Sequence, residues 1–151
     1  MALPRDWKEF IELLNSHRVE YVVVGAIAVS YHGYPRFTGG LDVLIRPTLA
    51  NAQRVHAVIV AFGFPATGLD PENLIEPGKF VQLGVPPARI DVLHEISGVA
   101  FDEAWSRHVV AEIDGISVNM IGREALIRNK RAAGRDKDRA DLRILGGDPD
   151  L

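Results

Sequence analysis

Residues 21–45 read YVVVGAIAVSYHGYPRFTGGLDVLI, and this stretch decides the fold. A short apolar strand runs into a turn at Gly25 and a helix of small residues, and a loop then leads into a second apolar strand. One carboxylate, Asp42, interrupts that second strand. Burying an unpaired carboxylate costs roughly several kcal/mol, so such a side chain needs a cation or a hydrogen-bond network as its partner. The pattern therefore makes Asp42 a candidate site residue.

The composition predicts one compact domain that spans residues 1–151. Of these residues 47% are hydrophobic and 25% are charged, which is enough apolar material for a core. The longest uncharged apolar stretch, residues 21–31, is shorter than the ~20 residues of a membrane-spanning helix. The N-terminal sequence shows no secretion signal and the chain has no cysteine, so we expect a cytoplasmic protein without a membrane partner.

Hydrophobic periodicity predicts helices and strands along the whole chain. A first helix carries an apolar stripe over residues 7–14, with Asp6 and Glu9 as a capping box at its start. The other predicted helices are 26–31, a segment between Thr48 and Gly63, 99–106, 123–133 and 136–145. The predicted strands are 21–24, 41–45, 79–83, 89–93, 108–113 and 116–120. We therefore expect an α/β fold of the α+β type, in which helices flank a mixed sheet and two helices form the C-terminal part.

A second carboxylate repeats the pattern of the first. Asp91 stands in the strand sequence RIDVL as Asp42 stands in LDVLI, each a lone acid among apolar residues. If the two strands are neighbours, the acids can converge on Mg²⁺, which prefers oxygen ligands and leaves coordination positions for substrate phosphates. Each acid could instead occupy a strand position that faces solvent. The pair, beside a glycine turn, makes a metal site the more specific hypothesis.

Positive charge is concentrated near the C-terminal end. Residues 123–143 contain eight basic and four acidic side chains, a net charge of +4, so the rest of the chain carries −7. This asymmetry indicates contact with phosphate or nucleic acid, while a solvated charged helix surface would have the same composition. Asp138 lies on the apolar stripe of the last predicted helix and needs a cation. Lys130, on the preceding helix, is its natural partner.

Taken together, these motifs resemble the nucleotidyltransferase superfamily, the DNA polymerase β-like fold. Residues 24–26 (VGA) match its glycine turn, residues 27–39 are a thirteen-residue spacer, and residues 40–42 (GLD) fall where its acidic pair belongs. Asp91 fits its third acid, on another strand. Residues 124–142 resemble the closing segment of small bacterial nucleotidyltransferases of the AbiEii type, several of which are toxins of toxin–antitoxin pairs.

The resemblance implies a Mg²⁺-dependent reaction. A nucleoside monophosphate would pass from a nucleoside triphosphate to a hydroxyl group of RNA or protein, with release of pyrophosphate. Asp42 and Asp91 would hold the metal, and Asp91 would also accept the proton of the hydroxyl. An antitoxin or another protein would be the regulatory partner.

The resemblance also implies which residues bind the nucleotide. Gly25 and Ala26 would let a phosphate approach the backbone at the start of a helix, although a plain turn glycine is the ordinary explanation of Gly25. Arg36 and Lys130 would neutralise the triphosphate, and Asp138 would orient Lys130. The alternatives are an ordinary loop arginine at Arg36 and a helix–helix salt bridge between Lys130 and Asp138.

The chain departs from the superfamily motif at two positions. Ala26 replaces Gly or Ser, and its small side chain still permits close approach of a phosphate. Gly40 stands where the first metal-binding Asp belongs, on the same strand face as Asp42 by the two-residue alternation. Two further hypotheses follow: a catalytically impaired module that binds a nucleotide or a protein partner, and an RNA-binding accessory protein that uses the basic segment alone.

Overall fold

A computed structural model describes residues 1–35, 38–65 and 67–147, which form a mixed sheet of six strands and the helices around it. The helices are α1 (Arg5–Ser16), α2 (Gly25–His32), α3 (Leu49–Phe62), α4 (Phe101–Ser106), α5 (Arg123–Ala133) and α6 (Asp136–Leu145). The strands are β1 (Tyr21–Val24), β2 (Gly40–Ile45), β3 (Val81–Leu83), β4 (Arg89–Leu93), β5 (Val109–Ile113) and β6 (Ile116–Met120). A short 3₁₀ helix spans Pro71–Ile75. The predicted α/β class, with a mixed sheet and C-terminal helices, is confirmed.

The order of strands in the sheet is β3-β4-β2-β1-β6-β5. β2 runs parallel to β4 and β1 runs parallel to β6, whereas the other neighbouring strands are antiparallel. On β2, Asp42 is paired with Val24 of β1 and with Asp91 of β4. The register therefore brings the end of β1, where the glycine turn begins, and the two strand carboxylates to one place.

Helices cover the faces of the sheet. All four residues of β1 are buried, so neither face of this strand meets solvent. α1 and α3 pack against each other, and Phe10 and Phe62 are in edge-to-face contact with ring centroids 5.4 Å apart. α2 contacts α5 and α6, so the C-terminal helices approach the turn between β1 and α2. No helix in the described ranges is long and apolar enough to span a membrane.

Two predicted element boundaries are confirmed, and local chemistry explains both. The hydroxyl group of Thr48 accepts a hydrogen bond from the backbone N–H of Asn51, which caps α3. Asp114 and Gly115 have positive φ angles of 53° and 81°, as a tight type I′ turn requires, and they join β5 to β6.

Other boundaries differ from the prediction: β2 begins at Gly40, α4 at Phe101 and β5 at Val109, each within two residues of the predicted start. α1 begins one residue before Asp6 and has no side-chain cap, so the predicted capping box of Asp6 and Glu9 is wrong. The helix starts earlier than its apolar stripe, which places Asp6 inside the first turn. β3 begins at Val81, two residues later than expected, because the N–H of Lys79 bonds to the carbonyl of Glu76 in a turn.

Candidate functional site

The two strand carboxylates lie side by side. Asp42 and Asp91 are register partners on the parallel strands β2 and β4, so their side chains project from the same face of the sheet. Asp91 is only 8% exposed, and Asp42 is partly buried. Burial, the charge of Asp91 and a hydrogen bond between the two carboxyl groups raise the pKa of Asp42 to about 6. A cation placed between the two carboxylates would relieve this repulsion.

The glycine turn is shaped around Asp42. Gly25 has a φ of +70°, and a Cβ atom placed on it would lie 2.2 Å from Oδ2 of Asp42. A side chain at this position would therefore collide with the carboxylate, in addition to the backbone strain of a positive φ. The sequence predicts that Gly25 lets a phosphate approach the backbone. The structure adds a second reason for a glycine here, because the space that a side chain would fill is occupied by the carboxylate of Asp42.

A cation that the sequence interpretation missed lies beside the pair. The Nε atom of Arg89 is 3.4 Å from Oδ1 of Asp91, and Nε2 of Gln82 donates a hydrogen bond of 3.2 Å to the same oxygen. Arg89 stands two residues before Asp91, so strand alternation places both side chains on one face and could have identified it. Arg89 and Lys130 both counteract the upward shift of the pKa of Asp42.

A buried ion-pair network joins α5 to α6. Nζ of Lys130 lies 3.2 Å from Oδ1 of Asp138 and 3.0 Å from Oδ2 of Asp141. Nε of Arg135 donates a hydrogen bond of 2.7 Å to Oδ2 of Asp138. Asp138 is fully buried and Lys130 is 6% exposed. The predicted partnership of Lys130 and Asp138 is therefore present, with Asp141 and Arg135 as further members.

The charge of Asp138 is fixed by this network. Burial alone would raise the pKa of Asp138, but hydrogen bonds from the side chain and backbone N–H of Arg135 and from Lys130 hold that pKa below its ordinary value. Asp138 is therefore ionised at neutral pH and compensates part of the charge of Lys130. The network gives Lys130 a structural role as well as a place on the cleft wall.

These elements enclose a cleft of about 660 Å³. Gly25, Ala26, Gly40 and Asp42 form part of its floor. Its charged walls comprise four cations and one further carboxylate: Arg89, Lys130, Arg135, Lys137 and Asp141. The basic C-terminal segment thus reaches the same cleft as the carboxylate pair. A polar cleft lined by four cations and by Asp42, with Asp91 beside it, suits a ligand that carries phosphate groups together with a divalent metal.

The predicted site residues divide into three groups. Those that line the cleft are Gly25, Ala26, Asp42 and Lys130. Asp91 is the neighbour of Asp42, and Asp138 supports Lys130 from the interior. Arg36 lies outside the described residues.

Asp42 and Asp91 supply only some of the oxygen ligands that a bound Mg²⁺ ion needs. Asp42 and Asp91 supply adjacent carboxylate oxygens, which are the ligands that Mg²⁺ prefers. Within the described part of the chain, no group of three or more His, Cys, Asp or Glu side chains is placed to hold a metal ion. Phosphate oxygens and water would have to complete the coordination shell, as is usual for Mg²⁺ at phosphoryl-transfer sites.

Comparison with protein-family models finds no matching family, and comparison with curated proteins finds no significant match. What the cleft can bind therefore follows from its own residues.

Proposed function

We propose that the protein is a Mg²⁺-dependent nucleotidyltransferase that binds a nucleoside triphosphate in the cleft. The observation that carries this proposal is the pairing of Asp42 with Asp91 on neighbouring strands, at a cleft that four cations also line. The resemblance of residues 24–42 and 124–142 to nucleotidyltransferases points to the same chemistry. We propose that the protein acts in the cytoplasm, where nucleoside triphosphates are made and used.

The carboxylates and cations have complementary tasks in this proposal. Asp42 and Asp91 would hold Mg²⁺, which when bound neutralises phosphate charge and polarises the α-phosphorus for attack. Arg135 and Lys137 are exposed on the cleft wall and would bind the triphosphate oxygens. Lys130, whose charge is shared with two buried carboxylates, would add a weaker attraction. Gly25 and Ala26, at the start of α2, would let a phosphate approach the backbone.

The proposed reaction is an in-line displacement. The oxygen of an acceptor hydroxyl group on RNA or protein forms a bond to the α-phosphorus, and the bond from that phosphorus to the bridging oxygen breaks, so that pyrophosphate leaves. The carboxylate of Asp91 accepts the hydroxyl proton. Positioning and electrostatic stabilisation supply most of the rate in such reactions, which is what a cleft of fixed charges provides. An antitoxin or another protein partner would regulate the activity.

A second candidate function is nucleotide binding without turnover. Gly40 leaves the strand face beside Asp42 without a carboxylate, and the guanidinium group of Arg89 lies over it: a Cβ atom on Gly40 would be 3.2 Å from both Nε and Nη2 of Arg89. A cation there weakens the negative field that holds Mg²⁺. This arrangement favours a sensor or partner-binding module of the same fold.

Transfer of label separates the two candidates. The protein is incubated with each of the four ribonucleoside triphosphates, labelled at the α-phosphorus, together with Mg²⁺ and bacterial cell extract. The transferase proposal predicts labelled RNA or protein, and loss of that labelling in the Asp91→Asn variant but not in Glu112→Gln, an exposed carboxylate of β5. Nucleotide binding without labelling would support the second candidate. Affinity for RNA without affinity for nucleotides would support an RNA-binding accessory protein and overturn both.

A further inference from the structure

Gly40 and Arg89 are paired in the same way as the two carboxylates. They are register partners on β2 and β4, two residues before Asp42 and Asp91, so the four positions share one face of the sheet. Gly40 has no side chain at the position where a third acid could stand, and the guanidinium group of Arg89 lies against its backbone. The site thus contains two acids and one cation on adjacent strand positions.

The hydrogen-bonding capacity of Arg89 is incompletely used. Its Nε atom is buried and has no hydrogen-bond acceptor among the described residues. The nearest carboxylate oxygen, Oδ1 of Asp91, is 3.4 Å away and already accepts a hydrogen bond from Gln82. The Arg89 side chain is 34% exposed and forms part of the cleft wall, so a ligand in the cleft can reach it. The exposed part of the guanidinium group, rather than the buried Nε atom, is what a ligand in the cleft can contact.

We infer that Arg89 is a phosphate-binding residue, and that it allows the cleft to bind a triphosphate group without a divalent cation. This inference rests on the proposed nucleotide site and extends it to the metal-free protein. A guanidinium group binds phosphate oxygens through two parallel hydrogen bonds. Arg89 keeps the capacity for them because its ion pair with Asp91 is made through Nε at 3.4 Å and Gly40 supplies no second carboxylate. Arg135 and Lys137, which also line the cleft, bind the remaining phosphates.

The Gly40→Asp variant distinguishes this role from a structural one. The Cβ atom of the new side chain would lie 3.2 Å from Nε and Nη2 of Arg89, so the guanidinium would shift by a few tenths of an ångström. The carboxylate beyond that Cβ would pair with the guanidinium. Arg89 would remain in place, but its charge would be neutralised. The same carboxylate would add a metal ligand beside Asp42. Triphosphate binding, which does not require Mg²⁺ in the wild type, should therefore require it in this variant.

The experiment is calorimetric titration with inorganic tripolyphosphate, once in EDTA and once in Mg²⁺. The wild-type protein should bind in EDTA, and Arg89→Met should lower that affinity by about tenfold or more, with partial recovery in Arg89→Lys. Gly40→Asp should also lower the affinity in EDTA and should recover it in Mg²⁺. Arg107→Met is the matched control, because Arg107 is an exposed arginine paired with Glu124 outside the described lining of the cleft.

Each result decides between the explanations. If folded Arg89→Met binds tripolyphosphate in EDTA as tightly as the wild type, Arg89 does not bind phosphate. If Arg89→Met does not fold, Gly40→Asp decides, and unchanged affinity in EDTA overturns the inference. If the wild type binds only in Mg²⁺, the inference is wrong and the proposed nucleotide site stands. If neither tripolyphosphate nor any of the four ribonucleoside triphosphates binds under either condition, the proposed function itself has failed.

Discussion

The carboxylate of Asp42 rests on the backbone of Gly25, so that a Cβ atom at position 25 would lie 2.2 Å from its Oδ2 atom. This contact joins the glycine turn, which opens α2, to the acid of the neighbouring strand. The glycine turn and the carboxylate pair are therefore in direct contact. A substitution at Gly25 should change the position of the Asp42 carboxylate, and the effect of that substitution on stability should depend on the side chain at position 42.

Gly25→Ala should destabilise the protein more than an alanine at another glycine of positive φ. Gly115 is the matched control, because its φ is +81° and nothing lies within 4 Å of the Cβ that it would gain. Gly115→Ala should cost about 1–2 kcal/mol of unfolding free energy from backbone strain alone. Gly25→Ala should cost a further ~1–3 kcal/mol from overlap with Asp42, measured by urea denaturation. Combination with Asp42→Ala should remove most of this extra cost, because only the Cβ atom of residue 42, 3.1 Å away, would remain in contact. Persistence of the full cost would show that the carboxylate is not the cause.

Asp42→Asn should stabilise the protein at neutral pH. The pKa of Asp42 is raised from 3.8 to about 6, so between these values the folded state binds more protons than the unfolded state. The contribution of Asp42 to the free energy of unfolding therefore falls as pH rises through this window and is fully lost above about pH 6. At pH 7 the variant should be more stable by about 1–2 kcal/mol, after a discount for the partial exposure of Asp42 to solvent.

The stabilisation by Asp42→Asn should depend on pH, and a comparison of the two proteins at low and high pH is its control. Near pH 4 the carboxyl group of the folded wild type is protonated, so the difference in melting temperature between the wild type and Asp42→Asn should shrink. A constant difference from pH 4 to pH 8 would mean that ionisation of Asp42 is not the source of the stabilisation.

Lys130→Met should lower both stability and nucleotide binding. Lys130 is the cation shared by two buried carboxylates, Asp138 and Asp141. Breaking a buried ion pair by removal of one partner costs about 3–5 kcal/mol, so chemical denaturation should show a large loss. Lys137→Met is the matched control on the cleft wall, and it should weaken nucleotide binding with little change in stability, because Lys137 is exposed. Equal stability of the two variants would contradict the structural role of Lys130.

Gly40→Asp should increase Mg²⁺-dependent transfer of label. The new carboxylate would lie beside Asp42 on one strand face and supply a third metal ligand. We expect a gain of about tenfold or more, since electrostatic stabilisation at such sites is commonly of this size or larger. Initial rates of label transfer in equal concentrations of folded protein measure it. Gly39→Asp is the control at the adjacent cleft position, and an equal gain in that variant would point to a general charge effect.

Much of the carboxylate site could be predicted from the sequence, because a lone acid in an apolar strand is visible in the alternation of side chains. That rule identified Asp42 and Asp91, and the stripe of the last helix identified Asp138 as a partner of Lys130. The sequence could not show the register of β2 and β4, which is set by tertiary packing and which makes the two acids direct neighbours.

Two features of the structure were not predicted. Strand alternation places Arg89 on the same face as Asp91, but the sequence does not show that its guanidinium group lies against Gly40 on the neighbouring strand. The start of α1 differs because Asp6 and Glu9 fit a capping pattern, whereas the helix begins at Arg5 with Pro4 at the N-cap position and no side-chain cap. Local patterns are weakest at helix ends, where neighbouring residues compete for the same role.

Calorimetric titration of the wild-type protein with ATP, GTP, CTP and UTP, in Mg²⁺ and in EDTA, tests the central claim most directly. We predict saturable binding of at least one nucleotide, with one site for each chain, tighter in Mg²⁺ than in EDTA. The Asp42→Asn and Asp91→Asn variants should lose that enhancement by Mg²⁺ and remain folded. Absence of binding for all four nucleotides under both conditions, or an enhancement by Mg²⁺ that survives in both variants, would contradict a nucleotide site built on Asp42 and Asp91.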